Sequence, residues 1–178
     1  MILETVRIVS DWLGGSTYGL APMLAAVTLD GSDTRPTVPA IYDETRNGPA
    51  ARRKIPAKPS LVIRQTGEGA QLNGEPFPVA GPRDADVHLG VWYADSESAS
   101  EIGNQGAHYV LRAAAQSLRL LTSSTGAAGA AAVTARNRNG IQLLLCKSLS
   151  LVTAYEPLED GILLGAVLAT YHVRDTNP

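Results

Sequence analysis

The stretch Ile162-Leu-Leu-Gly-Ala-Val-Leu-Ala-Thr-Tyr-His-Val173, close to the C-terminus, decides the fold. A strand that alternates apolar and polar residues has one face in water, whereas a strand covered on both faces is apolar throughout. In this stretch both alternating sets of side chains are mostly apolar. We therefore predict a central strand whose two faces are both covered.

Further strands are expected upstream of this one. Residues 61–63 form an apolar run, residues 87–94 alternate with period two, and residues 141–153 alternate with a bulge after position 145. Residues 156–161 are predicted to be the turn before the last strand. Asn73-Gly74 is typical of a type I′ hairpin turn.

Helices are predicted in three places. Ile2, Val6, Val9 and Leu13 share one helical face, and two glycines then end that helix. A second short helix is expected over residues 18–27.

A long third helix should begin near the capping box formed by Ser98 and Glu101 and end near Thr122. Residues 123–140 are rich in Ser, Thr, Ala and Gly and are predicted to be a flexible loop. The fold class is therefore α+β: a mainly antiparallel sheet packed by the N-terminal helix and the long central helix, within a single domain over residues 1–178.

Residues 30–60 interrupt this pattern with five prolines, which remove backbone donors and prevent regular interior structure. We expect an extended, proline-rich excursion with at most short strands. It carries a cluster of positive charges, which we call the basic arm and predict to contact a neighbouring subunit or another partner. Its members are Arg46, Arg52, Arg53, Lys54 and Lys58.

The amino-acid composition excludes several classes of protein. The 178 residues are 44% hydrophobic and only 18% charged, with a net charge of −2, which excludes a disordered chain and a globally basic nucleic-acid binder. No signal peptide or apolar run long enough to span a membrane is visible, so we expect no membrane partner and synthesis in a reducing cytoplasm. A surface this poor in charge is also compatible with coverage by other subunits.

Chemical motifs are lacking in the sequence, which predicts a protein that is not an enzyme and has no cofactor. There is no phosphate-binding loop, no Gly-x-Ser-x-Gly elbow, and no paired-histidine zinc motif. The single cysteine, Cys146, lies in an apolar stretch and is expected to be a small buried residue. Asp84 and Asp86 are interpreted as turn or edge residues.

Two segments resemble small morphogenesis proteins of tailed bacteriophages. They are Tyr18-Gly-Leu-Ala-Pro-Met-Leu-Ala-Ala26 with Ile41-Tyr-Asp-Glu-Thr45, and Tyr155-Glu-Pro-Leu-Glu-Asp-Gly161 with the strand that follows, through Asp175. The order of elements resembles the tail terminator proteins of long-tailed phages. In that family helices pack on a sheet, six copies form a ring that caps the tail tube, and no catalytic residues are known to carry over.

The resemblance implies a structural virion protein, assembled in the host cytoplasm and located in the tail or neck. Its implied partners are further copies of itself in a ring, the tail tube protein, and a head–tail connector or head-completion protein. DNA would meet it only by passing through the lumen.

Two alternatives remain at this point. One is a head-closure or other neck protein. The other belongs to a different class, a small α+β enzyme or ligand-binding domain with a pocket near His108 or His172.

Overall fold

A computed structural model describes residues 2–43, 59–66, 71–72, 83–95, 102–153, 156–158 and 161–176. The fold is mixed α+β, as the sequence predicts. The helices in this part of the chain are α1 (Ile2–Leu13), α2 (Leu20–Ala26), α3 (Ile102–Leu121) and α4 (Gly126–Ala135). The strands are β1 (Ala40–Asp43), β2 (Ser60–Gln65), β3 (Gln71–Leu72), β4 (Arg83–Asp95), β5 (Asn137–Arg138), β6 (Ile141–Val152), β7 (Glu156–Leu158) and β8 (Gly161–Asp175).

All the described strands belong to one sheet. Its main path runs β1-β2-β4-β8-β6-β5, with β3 added beside β4 and β7 beside β8. β1 and β2 are parallel, and the other pairings of described strands are antiparallel. The strand predicted to be central, β8, lies between the two long strands β4 and β6.

The helices cover one face of this sheet, which we call the helix-covered face. Val9 and Leu13 from α1 and Leu118 from α3 join Leu89 of β4 and Tyr171 of β8 in a single buried core. Each such side chain contributes about 1.5–3 kcal/mol when it leaves water. The core explains why the apolar positions of α1 recur at helical spacing and those of β4 at every second residue.

Two hydrogen bonds, the first of them buried, join α3 to the end of α1 and to the segment that follows it. The helix ends where the glycines predict, with the Gly14 amide donating to the Ser10 carbonyl at 3.0 Å. The Trp12 indole nitrogen donates to the Ser117 carbonyl at 2.8 Å, and the Ser117 hydroxyl donates to the Tyr18 carbonyl at 2.6 Å. These bonds satisfy polar groups that would be costly to bury without partners.

The prediction of a flexible loop over residues 123–140 is wrong, because most of this segment is α4, β5 and a turn. A Cβ on Gly129 would come within 2.8 Å of the Ser124 backbone, so this glycine permits close packing and does not break the helix. Asn139 and Gly140 both have positive φ and turn the chain from β5 into β6. They form the kind of two-residue hairpin turn that Asn-Gly favours.

The predicted turn over residues 156–161 is shorter than expected, since β7 pairs with the beginning of β8. The predicted bulge in β6 is confirmed by a register shift between Cys146 and Ser148, and a second shift lies between Leu143 and Leu145. The Asn73-Gly74 turn and the Ser98–Glu101 capping box lie outside the described residues.

The first part of the excursion is attached to the helices. The Tyr109 hydroxyl donates to Asp33 at 2.7 Å and accepts the Asp30 amide at 2.9 Å. Arg35 donates to the carbonyls of Leu24 and Val27 at the end of α2. These contacts lead the chain to β1, which is the short strand that the proline pattern allowed.

Candidate functional site

The basic arm lies outside the described residues, so its predicted contact role stays a prediction. The described residues carry three other features that could bind a partner. They are a set of charged side chains on the sheet, a cleft between helices, and the free edge of a strand.

The charged side chains form a row across β4, β8 and β6 on the face away from the helices, which we call the outer face. Arg174 donates to both carboxylate oxygens of Asp84, at 2.8 and 2.9 Å. His172 Nδ1 lies 3.0 Å from Asp86, and its Nε2 lies 3.7 Å from Asp84. Lys147 Nζ completes the row at 2.7 Å from Asp86. We call these five residues the charged ladder.

The ladder stabilises the ionised state of its two carboxylates. Hydrogen bonding from Arg174 lowers the pKa of Asp84, and hydrogen bonding from Lys147 lowers the pKa of Asp86. The side chains are between 24% and 42% exposed, so solvent screens their attraction. The charged ladder therefore contributes more to local order and surface charge than to the overall stability of the fold.

The interpretation of Asp84 and Asp86 as turn or edge residues is wrong. β4 begins at Arg83, and both aspartates lie within it, directly opposite Arg174 and His172 of β8. A signal was present, since acidic residues two apart on one strand match basic residues two apart on another. Recognising this match requires the register between β4 and β8, which cannot be read from the sequence.

His108 and His172, near which the ligand-binding alternative expects a pocket, do not line the cleft that the described residues form between α1 and the α4–β5 segment. His108 is exposed on α3, whereas His88 Nδ1 lies 2.9 Å from the Thr170 hydroxyl on the outer face. Within the described residues no group of three His, Cys, Asp or Glu side chains could hold a metal ion. Cys146 is only half-buried, whereas the sequence predicted a buried residue, and this burial raises the pKa of its thiol.

A cleft of about 430 Å³ lies between α1 and the α4–β5 segment. The rings of Trp12 and Tyr18 stack at its wall with centroids 5.9 Å apart and planes 10° apart. Arg138 also lines the cleft, but its guanidinium is held by Glu4 at 2.8 Å and by Asp11. The cleft is therefore a largely apolar groove whose one cation is already neutralised.

The other end of the outer face carries a small group of buried and partly buried apolar side chains, which we call the outer apolar cluster. Its members are Tyr42, Val62, Trp92, Ala94 and Leu163. The prediction that the final strand is covered on both faces is confirmed at its beginning, where residues 161–167 are all buried. It is wrong further along the strand, because from Leu168 onward the residues on the outer face are only partly buried.

The sheet edge formed by β6 is exposed. Leu145 and Leu151 are 54% and 50% exposed, although both belong to a strand beside the central one. In the described part of the chain, β5 pairs with only the first two residues of β6. One further bond, from the Leu143 amide to the Arg136 carbonyl, is 3.0 Å long. The rest of this edge has no described partner strand.

Comparison with known proteins identifies no family: neither the protein-family models nor the curated protein sequences give a match. Among the described residues, none of the helices is long and apolar enough to cross a membrane.

Proposed function

We propose that the chain is a tail terminator of a long-tailed bacteriophage, a virion protein that forms a ring on the end of the tail tube. The observation that carries the proposal is the resemblance of two segments. One includes α2, and the other consists of the β7–β8 hairpin with the remainder of β8. A mixed α+β fold with this order of helices and strands supports it.

The proposed mechanism is geometric and needs no catalytic residue. A ring bound to the last tube ring would block further addition of tube subunits and present its opposite side to the head connector. Each copy must then contact two neighbours through two different surfaces. The exposed edge of β6 is a candidate for one of those surfaces.

Electron microscopy of the purified protein, alone and mixed with its tail tube protein, tests this function. We expect annular particles, of six copies by the resemblance, seated on tube ends. Light scattering should give a mass well above the 18.7 kDa of one chain. A protein that stays monomeric under both conditions would contradict the proposal.

The same experiment separates the proposal from the neck-protein alternative. A terminator binds the tube end and limits tube length in an assembly reaction. A head-closure protein would bind the head connector and leave tube length unchanged.

The basic arm has its own test. We propose that it contacts the adjacent subunit, so replacing Arg52, Arg53 and Lys54 together with Ala should weaken ring formation. Thermal unfolding measured below the assembly concentration should hardly change, since exposed charges contribute little to folding. Normal rings from this variant would show that the basic arm is only a solvated loop.

A further inference from the structure

The sheet has two edges, the outer side of β1 and the later part of β6, that have no partner strand among the described residues. Natural proteins protect edge strands with charges, prolines or bulges, because unpaired backbone groups attract other strands. On β6 the charged residue is Lys147, which lies at a bulge and is bound to Asp86. The segment that follows, residues 148–152, has the sequence Ser-Leu-Ser-Leu-Val and contains neither charge nor proline.

The opposite edge, β1, also carries little charge, and Pro39 directly before it limits pairing at that end. β1 pairs only with β2 among the described strands, and Val38 just before it is 48% exposed. The charged residue of β1 is Asp43, which is only 2% exposed. Both edges therefore present apolar side chains and little charge to a partner.

We propose that residues 148–152 of one copy pair with β1 of the next copy, so that the sheet continues from subunit to subunit. This inference rests on the proposed ring and names its two contact surfaces. A four-residue strand spans about 13 Å and a five-residue segment about 17 Å, so the two stretches match in length. The Lys147 bulge limits the pairing at one end.

The strand that pairs with each edge comes from a second copy of the chain, because the two edges lie at opposite ends of one sheet. Joining unlike edges is a head-to-tail contact, which closes into a ring when the rotation permits and then leaves no free edge. Pairing β6 with β6 of a second copy would instead give a two-fold dimer and leave both β1 edges open.

Single charges introduced at each edge test the proposal. In Leu151→Glu and Ala40→Glu, which change exposed positions within the two paired segments, a carboxylate would have to be buried between subunits, so we expect each variant to need at least about tenfold more protein for half-assembly. Leu3→Glu is the matched control, because Leu3 is 45% exposed on α1 and belongs to neither edge strand. It should assemble as the wild type does.

Mixing the two edge variants makes the test specific for a head-to-tail contact. Each variant keeps one intact edge, so an equimolar mixture should form a 1:1 heterodimer by native mass spectrometry, while each variant alone stays monomeric. Circular dichroism checks folding, and Leu151→Asn replaces Leu151→Glu if the latter does not fold.

The outcomes distinguish this inference from the proposed function. If the wild type forms rings and both edge variants also do, or if Leu3→Glu disrupts them equally, the edge pairing is wrong and the ring stands. Loss of assembly in Leu151→Glu alone would indicate the two-fold β6 contact. A wild type that is monomeric with and without its tube overturns the ring itself and the pairing with it.

Discussion

On the helix-covered face of the sheet, Leu89 and Tyr171 lie in a continuous apolar core, whereas the outer face changes character along its length. It carries the charged ladder at one end and the outer apolar cluster at the other. Asp86 and Trp92 represent these two ends on β4 and are six residues, or about 20 Å, apart. The same two strands thus support folding on one face and surface chemistry on the other.

The difference between the faces predicts unequal costs for the same truncation. Leu89 is fully buried on the helix-covered face, and Leu168, on the outer face of the adjacent strand, is only partly buried. Leu89→Ala should lower the free energy of unfolding by about 2–5 kcal/mol because it leaves a cavity in the core. Leu168→Ala should cost about 1 kcal/mol, since part of its side chain already contacts water.

Urea denaturation at one fixed protein concentration measures both values, because assembly would otherwise add to apparent stability. Equal losses would mean that the outer face is packed as tightly as the helix-covered face.

The sequence predicted the elements whose periodicity is long and regular. α1, α3, β4 and β8 are found where the apolar spacing indicated them. α4 was missed because its two glycines suggested a loop, while the structure uses Gly129 for a close contact with the Ser124 backbone. That contact depends on the path of the chain before the helix, which no local pattern reports.

The candidate surfaces were harder to predict than the core. The charged ladder depends on the register between β4 and β8, and the exposed edge depends on the strand order. Both are long-range properties, whereas hydrophobic alternation reports only which face of one strand is covered. The basic arm was predictable as a charge cluster, but charge alone does not name its contact.

A substitution at Gly90 tests how tightly the apolar end of the outer face is packed. Gly90 lies beneath Trp92, and a Cβ there would come within 2.4 Å of the indole nitrogen and 2.7 Å of a Thr66 methyl carbon. Gly90→Ala should therefore displace the indole and lower the free energy of unfolding by about 1–3 kcal/mol. Tryptophan fluorescence should shift to longer wavelength as the ring becomes more exposed.

Gly106→Ala is the control for this experiment. A Cβ at Gly106 would contact Pro36 at an ordinary 3.5 Å, and the position lies in α3. The change should leave the fluorescence unaltered and be neutral or stabilising by about 0.4–1 kcal/mol. A similar loss in both variants would show that crowding at Trp92 is not the cause.

Removal of the charged ladder should change the free energy of unfolding least, and the pH dependence of stability gives the direction of its contribution. Arg174 and Lys147 lower the native pKa values of Asp84 and Asp86 below their ordinary 3.8. The unfolded chain therefore binds protons before the native protein does, and the ladder's contribution is fully present above the ordinary value. It is lost as the pH falls through the lowered native values.

The double variant Asp84→Asn, Asp86→Asn should thus be slightly less stable than the wild type at pH 7 and should lose less stability on acidification below pH 5. Because the ladder is partly exposed, the effect should be smaller than that of Gly90→Ala and should shrink in about 1 M salt. Urea denaturation at several pH values measures it. Identical pH slopes for variant and wild type would mean that the ladder's ion pairs contribute nothing to folding and that its charges serve only the surface.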